Sequence, residues 1–220
     1  LAEMLRSDVL GGVPHAFSTR DPLDPGAVLP GGVLVRVKQV HSADVVFATE
    51  AMTGAPHADA IVTDQPGLLL GIVTADCAPV LLCDPHSGVV AAAHAGWRGA
   101  HGGVLENTVA AMVSLGADPA ATVAAIGPTI AHPSYEVDGA FRSQFGDEDA
   151  RFFGAGREGH WQFDLPAYVR HRLGCAGIDR IDDLGQDTYA QPGRFFSFRR
   201  ATHRAEDTGG RQLSVIGLPE

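Results

Sequence analysis

Through the first half of the chain, apolar residues come in short runs closed by turn formers, not at helical spacing. Residues 68–73, 79–83 and 89–93 are almost uninterrupted, and DPHSG (84–88) has the composition of a tight turn. Runs of this length predict buried strands. VLVRVKQV (33–40), Val45-Val46 and 59–64 continue the pattern upstream, and VPHAFSTR (13–20) predicts an edge strand. After Gly99 the period changes. Leu105, Val109, Met112 and Val113 recur at helical spacing, so one amphipathic helix is expected over about 102–115, with Gly116 and Asp118-Pro119 as the stop. Asp164 predicts the N-cap of a second helix through Leu165, Tyr168, Val169 and Leu173, closed by Gly174. Residues 123–126 and 213–217 read as further strands, and 134–145 as a turn with a short helix.

The intervening segments are loop-like. DPLDPGAVLPGG (21–32) holds three prolines and three glycines and predicts a surface or mobile loop, neither helix nor central strand. Residues 53–58, 146–160 and 201–210 also read as loops. Strands that come in runs, without alternating one-for-one with helices, predict an α+β fold: mixed sheets with a few flanking helices in a single compact domain over 1–220.

Composition narrows the function classes. At 220 residues and 45% hydrophobic, the chain buries a full core, and 16 basic against 26 acidic residues give a formal charge of −10. That balance argues against a general binder of nucleic acid or anionic membrane. No run approaches the length of a membrane span and the start lacks a secretion signal, so a cytoplasmic protein is expected. Three cysteines with no CxxC pair form neither a disulfide framework nor a four-cysteine zinc module. No feature of the chain fixes an oligomeric state.

The reactive residues are concentrated in GIVTADCAPVLLCDPHSGVVAAAHAGWRG (71–99). His41, Cys77 and His94 each follow an apolar extended run, which places a thiol and two imidazoles at strand ends. Zinc accepts both donor types, and three protein ligands leave a fourth tetrahedral position open, the catalytic arrangement. Their spacing matches no zinc-finger pattern. Cys83 and Cys175 read as small packing residues, and the remaining eight of the ten histidines as surface or hydrogen-bonded groups.

Six blocks in order extend this reading: KQVHSADV (38–45), ADAIVTD (58–64), TADCAPVLL (74–82), AAAHAGWRG (91–99), IGPTI with YEVD (126–138) and FFSFRR (195–200). With these the chain resembles the YfiH-type family, long labelled multicopper polyphenol oxidase or laccase-like and associated with purine nucleoside phosphorylase activity. It departs from the family after FSTR, where a longer segment precedes KQVH. The resemblance implies a mixed αβ fold, metal ligation at the positions of His41, Cys77 and His94, usually by zinc, and phosphorolysis of adenosine, inosine, guanosine and methylthioadenosine together with adenosine deamination. Copper chemistry ranks lower, because the HxH pairs of a multicopper oxidase are missing from this sequence. Purine nucleoside and phosphate are the expected partners. Asp76 is the candidate proton shuttle. Arg98, Lys38 and Arg20 are the candidate cations for phosphate, with Gln39 beside them, and Arg98 is placed just ahead of the helix near Gly102. A metal-free cysteine hydrolase, with Cys77 as nucleophile and His94 or His41 as base, is the alternative, and a binding module stiffened by structural zinc is a third reading.

Overall fold

A computed structural model describes residues 3–49, 52 and 54–220. Along the chain the strands are β1 (Met4–Leu5), β2 (His15–Ser18), β3 (Val33–Arg36), β4 (Val45–Phe47), β5 (Ala60–Thr63), β6 (Leu68–Thr74), β7 (Ala78–Asp84) and β8 (Val89–Ala95). Helices α1 (Trp97–Gly102) and α2 (Val104–Ser114) follow, then β9 (Val123–Ile126), β10 (Glu136–Asp138), α3 (Gly139–Arg142), β11 (Phe153–Ala155) and β12 (His160–Phe163). The chain ends with α4 (Leu165–Cys175), β13 (Arg180–Asp183), α5 (Phe198–Arg204) and β14 (Gln212–Gly217).

Two mixed sheets stack face to face. One has the order β13-β9-β7-β8-β5-β4, the other β1-β2-β14-β6-β3, and a three-stranded ribbon β10-β12-β11 stands apart. Leu70, Ile72 and Ile216 of the second sheet interdigitate with Ile61, Leu81, Val90 and Ala125 of the first. The opposite face of the first sheet, through Val62, Val80, Leu82 and Ala93, packs on Leu105, Val109 and Met112 of α2 and Leu165, Val169 and Leu173 of α4. Covered on both sides, β7 and β8 bury all seven residues each, which is why their sequences read as continuous apolar runs rather than alternating ones. The α+β class expected from the sequence is the one observed.

Several local expectations are corrected. The loop over 21–32 is not loose surface: Leu23, Val28 and Leu29 are buried against Leu69 and Val215, covering the outer face of the second sheet. The helix expected over about 102–115 is α2, and a short unexpected helix, α1, precedes it; the two are separated where Gly103 takes φ 98°, a conformation only glycine adopts cheaply. Val113, assigned to the buried face, is 45% exposed. Helix α4 runs one residue beyond Gly174, and the left-handed glycine after it is Gly177. Residues 146–160 hold a 3₁₀ turn, β11 and the start of β12, while β10 and β13 had no periodicity to reveal them. Residues 201–204, expected as loop, belong to α5, whose N-cap Ser197 accepts from the Arg200 N–H. Of the loop expected over 53–58, residue 53 lies outside the described residues, and 54–58 form no helix or strand.

His15 ties the N-terminal turn to β2: its Nε2 accepts from the Ser7 N–H at 3.0 Å, and its Nδ1 lies 2.7 Å from the Val13 carbonyl. Burial, with the nearby Arg6 charge, lowers its pKa below the ordinary 6.5. A depressed histidine contributes stability above the unfolded-state value, and that contribution is lost as pH falls from about 6.5 toward the folded-state pKa, because the unfolded chain takes up the proton first. Chemical denaturation is therefore expected to show lower stability at pH 5.5 than at 7.5, by up to about 1.4 kcal/mol, the value of the one pH unit below the unfolded-state pKa. His15→Gln is expected to flatten this part of the slope, and an unchanged slope in that variant contradicts the assignment.

Candidate metal centre and cleft

The three ligand candidates arrive from three different places. Cys77 sits in the turn between β6 and β7, His94 is the next-to-last residue of strand β8, and His41 follows β3 in the left-handed conformation, φ 61°. The structure brings their donor atoms within 4.8 Å of one another. Cys77 Sγ lies 3.9 Å from His41 Nε2, and the two imidazoles meet edge to face at 4.8 Å between centroids. A tetrahedral ion with bonds of about 2.0–2.3 Å needs donors about 3.5 Å apart, so small side-chain rotations close the set.

Asp59, fully buried at the head of β5, organises this centre. One carboxylate oxygen lies 2.7 Å from His94 Nδ1 and accepts from the His41 N–H at 3.0 Å; the other accepts from the Val40 and Ser42 N–H groups at 3.1 and 2.6 Å. Three consecutive amides wrapped round one carboxylate form an anion nest, and the nest holds His41 in its uncommon backbone conformation. Holding His94 Nδ1–H leaves Nε2 as the donor toward the site, the usual carboxylate–histidine arrangement behind a metal. Burial pushes the Asp59 carboxyl up, but the hydrogen bonds from His94, Ser42 and Val40 outweigh it and hold the acid far below its ordinary range. Sequence reasoning quoted ADAIVTD without giving Asp59 a role. The available signal was an acid placed directly before the apolar run Ala60-Ile61-Val62, a position where an unpartnered charge is costly.

The thiol is electrostatically prepared for ligation. Burial raises the Cys77 pKa, yet the His94 and His41 charges and hydrogen bonds prevail and lower it to about 6, while His94 is raised to about 9 against its own burial by Cys77 and Asp59. Cys83 shows the contrast: burial and the neighbouring Asp84 push its thiol up to about 11. Cys175, expected as a core residue, is exposed on the last turn of α4.

Gly96 keeps room for an occupant. A Cβ built there would stand 2.8 Å from Cys77 Sγ and 3.3 Å from His41 Cδ2. Donor chemistry and this open cradle both fit a bound metal ion held by His41, Cys77 and His94. Gly96→Ala is expected to displace the thiolate and weaken metal binding by about ten-fold or more, since overpacking costs about 1–3 kcal/mol. Titration against a competing chelator measures it, and undiminished affinity would place the metal elsewhere.

The centre opens into a cleft of about 680 Å³, within the range of small-molecule sites. Lys38 and Arg98 line it, as the sequence suggested, with the Arg98 guanidinium lying 4.5 Å over the Trp97 ring. Arg98 is ahead of the long helix α2, as expected, and lies inside the first turn of the short α1. Gln39 lines the cleft, but both ends of its amide are engaged, donating to the Val73 carbonyl and accepting from the Val73 N–H. It straps the His41 segment to β6. Asp76, φ 85°, is likewise engaged: Oδ1 accepts from the Thr188 hydroxyl at 2.6 Å and Oδ2 from the Arg199 N–H at 2.7 Å. Its carbonyl accepts from Ile130 N–H and the Thr129 hydroxyl. Arg20 is not brought to this site. It stands over Phe196 in a second cleft and donates to the Pro192 carbonyl, because the chain turns away after β2. Arg199, quoted in FFSFRR but given no role, lines the main cleft; it lies 5.1 Å over Tyr135 and donates to the Glu136 carbonyl.

One thiol and two imidazoles lining a cationic cleft on a stacked mixed-sheet scaffold make a group that could hold a metal ion. The family model described as multi-copper polyphenol oxidoreductase laccase matches residues 23–219, and the chain belongs to that family. It is 37% identical, over 82% of its length and 76% of the relative's, to a purine nucleoside phosphorylase of Rickettsia conorii. To purine nucleoside phosphorylase YfiH of Escherichia coli it is also 37% identical, covering 93% of this chain and 81% of the relative. The crystal structure of a Neisseria meningitidis protein superposes with a TM-score of 0.85 at 32% identity, covering 100% of this chain and 99% of that one. No helix among the described residues is long and apolar enough to cross a membrane.

Proposed function

We propose that this chain is a zinc-dependent purine nucleoside phosphorylase acting on adenosine, inosine, guanosine and methylthioadenosine, and that the same site deaminates adenosine. The observation that carries the reading is the convergence of His41, Cys77 and His94 at the base of a cleft lined by cations. The purine nucleoside phosphorylase names of relatives at this level of identity support it. Zinc suits a donor set of one thiolate and two imidazoles. A multicopper oxidase needs several copper sites, whereas one metal-competent cluster of three residues is found among the described residues.

In phosphorolysis a phosphate oxygen attacks the anomeric carbon of the ribose as the bond to the purine nitrogen breaks and its electron pair leaves with the base. Arg98 and Lys38 hold the attacking phosphate by charge-assisted hydrogen bonds. Trp97 and Tyr135 supply ring surface against which a purine packs. Burial and the nearby Cys77 charge push the Tyr135 hydroxyl well above its ordinary range, so it stays protonated and is available as a hydrogen-bond donor. Asp76, with both oxygens occupied, holds the Cys77 turn against α5 rather than carrying a proton. A bound zinc ion supplies Lewis acidity at the reacting centre.

Product analysis on inosine and adenosine tests the reading. Release of free base with ribose 1-phosphate is expected only when phosphate is present, and conversion of adenosine to inosine in its absence. Base release independent of phosphate contradicts a phosphorylase. Arg98→Ala is expected to weaken phosphate-dependent cleavage by about ten- to a hundred-fold, the loss of one charge-assisted contact of about 1.5–3 kcal/mol, while metal content stays unchanged. An unaltered phosphate dependence in this variant removes Arg98 from the phosphate site.

The lowered Cys77 thiol also favours one second reading, a cysteine hydrolase in which the thiolate attacks and His94 or His41 serves as base. Metal dependence separates the two.

A further inference from the structure

The cleft carries more positive charge than a neutral nucleoside and one phosphate call for. Arg36, Lys38, Arg98, Arg199 and Arg211 all line it, and among the described residues none of the five is ion-paired to an acid. Asp76 is the acid that lines the cleft, and both of its oxygens are already taken. Five unpaired cations in one cleft of a chain with net charge −10 are not a consequence of composition.

The cations fall into two groups by origin. Arg98 comes from α1 and Arg199 from α5, whereas Arg36, Lys38 and Arg211 come from segments at the ends of the two second-sheet strands that flank β6. Arg36 ends β3 opposite Gly71, and Arg211 directly precedes β14, whose Gln212 pairs with Thr74. A Cβ at Gly71 would meet the side chains of Leu34, Arg36 and Leu213, so these share one face of the sheet. Alternation puts Arg211, two residues before Leu213, on that face as well. Arg211 Nη1 donates to the Thr208 and Gly210 carbonyls, which fixes the guanidinium. Thr74, on β6 and also lining the cleft, carries a buried hydroxyl with no hydrogen-bond partner.

We propose that Arg36 and Arg211 form a second anion subsite and that the preferred substrates are purine nucleosides bearing a phosphate on the 5′ carbon. This rests on the phosphorylase reading above. The 5′-phosphate lies between the two guanidinium groups, which bind phosphate oxygens through parallel hydrogen bonds, while Arg98 and Lys38 take the attacking phosphate. The reaction balances without a redox partner: a phosphate oxygen bonds to C1′, the C1′–N9 bond breaks, its electron pair leaves on the purine, and a solvent proton neutralises it. The products are the free base and ribose 1,5-bisphosphate.

The test compares inosine with inosine 5′-monophosphate, in steady-state cleavage with phosphate and in equilibrium binding by calorimetry. The monophosphate is expected to have the higher kcat/KM and the tighter binding, each by about ten-fold or more, for two charge-assisted contacts. In Arg36→Gln/Arg211→Gln that preference is expected to vanish while inosine turnover is unchanged; the single variants serve if the double one does not fold. Equal use and equal binding of both ligands by the unaltered protein overturn the proposal. So does a preference that survives both substitutions. If neither ligand is cleaved, the phosphorylase reading fails, and the binding comparison alone still decides the subsite.

Discussion

Cys77→Ser is expected to lose bound metal and nucleoside cleavage together, each by on the order of a hundred-fold or more. The size follows from ligand chemistry. Even groups that only support a ligand are worth about 10–100-fold in metal affinity, and here the donor itself is exchanged for a hydroxyl, which does not ionise near neutral pH. In the unaltered protein the two flanking imidazoles hold the thiol at about 6, so the thiolate ligand forms with little competition from protons. Cys175→Ser on the exposed end of α4 is expected to change neither quantity. Cys83→Ser is expected to keep metal and activity and to lower stability by about 1–3 kcal/mol, because a hydroxyl replaces a buried thiol, 1% exposed, without an assured partner. Metal analysis beside activity decides among the readings: a Cys77→Ser protein that retains its metal but no activity supports the nucleophile instead.

Asp59→Ala is expected to have the second largest effect, and it acts on two quantities at once. The carboxylate orients His94 and accepts from the amides of Val40, His41 and Ser42. Removing it frees His94 to rotate, which is expected to weaken metal binding by about 10–100-fold. It also leaves the buried His94 Nδ1–H without its acceptor, at about 1–3 kcal/mol, unties three part-buried amides and relaxes the left-handed backbone at His41. Denaturation of the metal-free protein measures the second effect separately from the first. Asp59→Asn retains one acceptor oxygen and is expected to fall between the two in stability. Full metal affinity in Asp59→Ala would show that the nest serves folding alone.

The sequence was most informative where one strand's own residues carry the signal. Continuous apolar runs at 68–73, 79–83 and 89–93 are legible as strands because each is covered on both faces, so burial requires every position to be apolar. The same rule made Cys77 and His94 conspicuous, since each is a reactive group beside such a run, whereas His41 follows the half-exposed strand β3. Spacing alone did not show that they meet, because their distance in space depends on how β7 and β8 pair and on where the β3–β4 connection crosses them.

What the chain's order concealed were relations between distant segments. The buried side of loop 21–32 needed the outer face of the second sheet to exist first. Arg20 and Arg199 look alike as arginines near aromatic residues, yet the turn after β2 carries one to a separate cleft and the Asp76 clamp carries the other to the centre. Local composition thus determined the strands, the class of fold and the identity of the reactive groups, because those follow from which side chains avoid water. Asp59's grip on three successive amides and one imidazole, and the gathering of Arg36, Lys38, Arg98, Arg199 and Arg211 round one cleft, were decided only by tertiary structure. Hydrogen bonds and charges act through space over a few ångströms, and neither range nor direction is written in the order of residues along the chain.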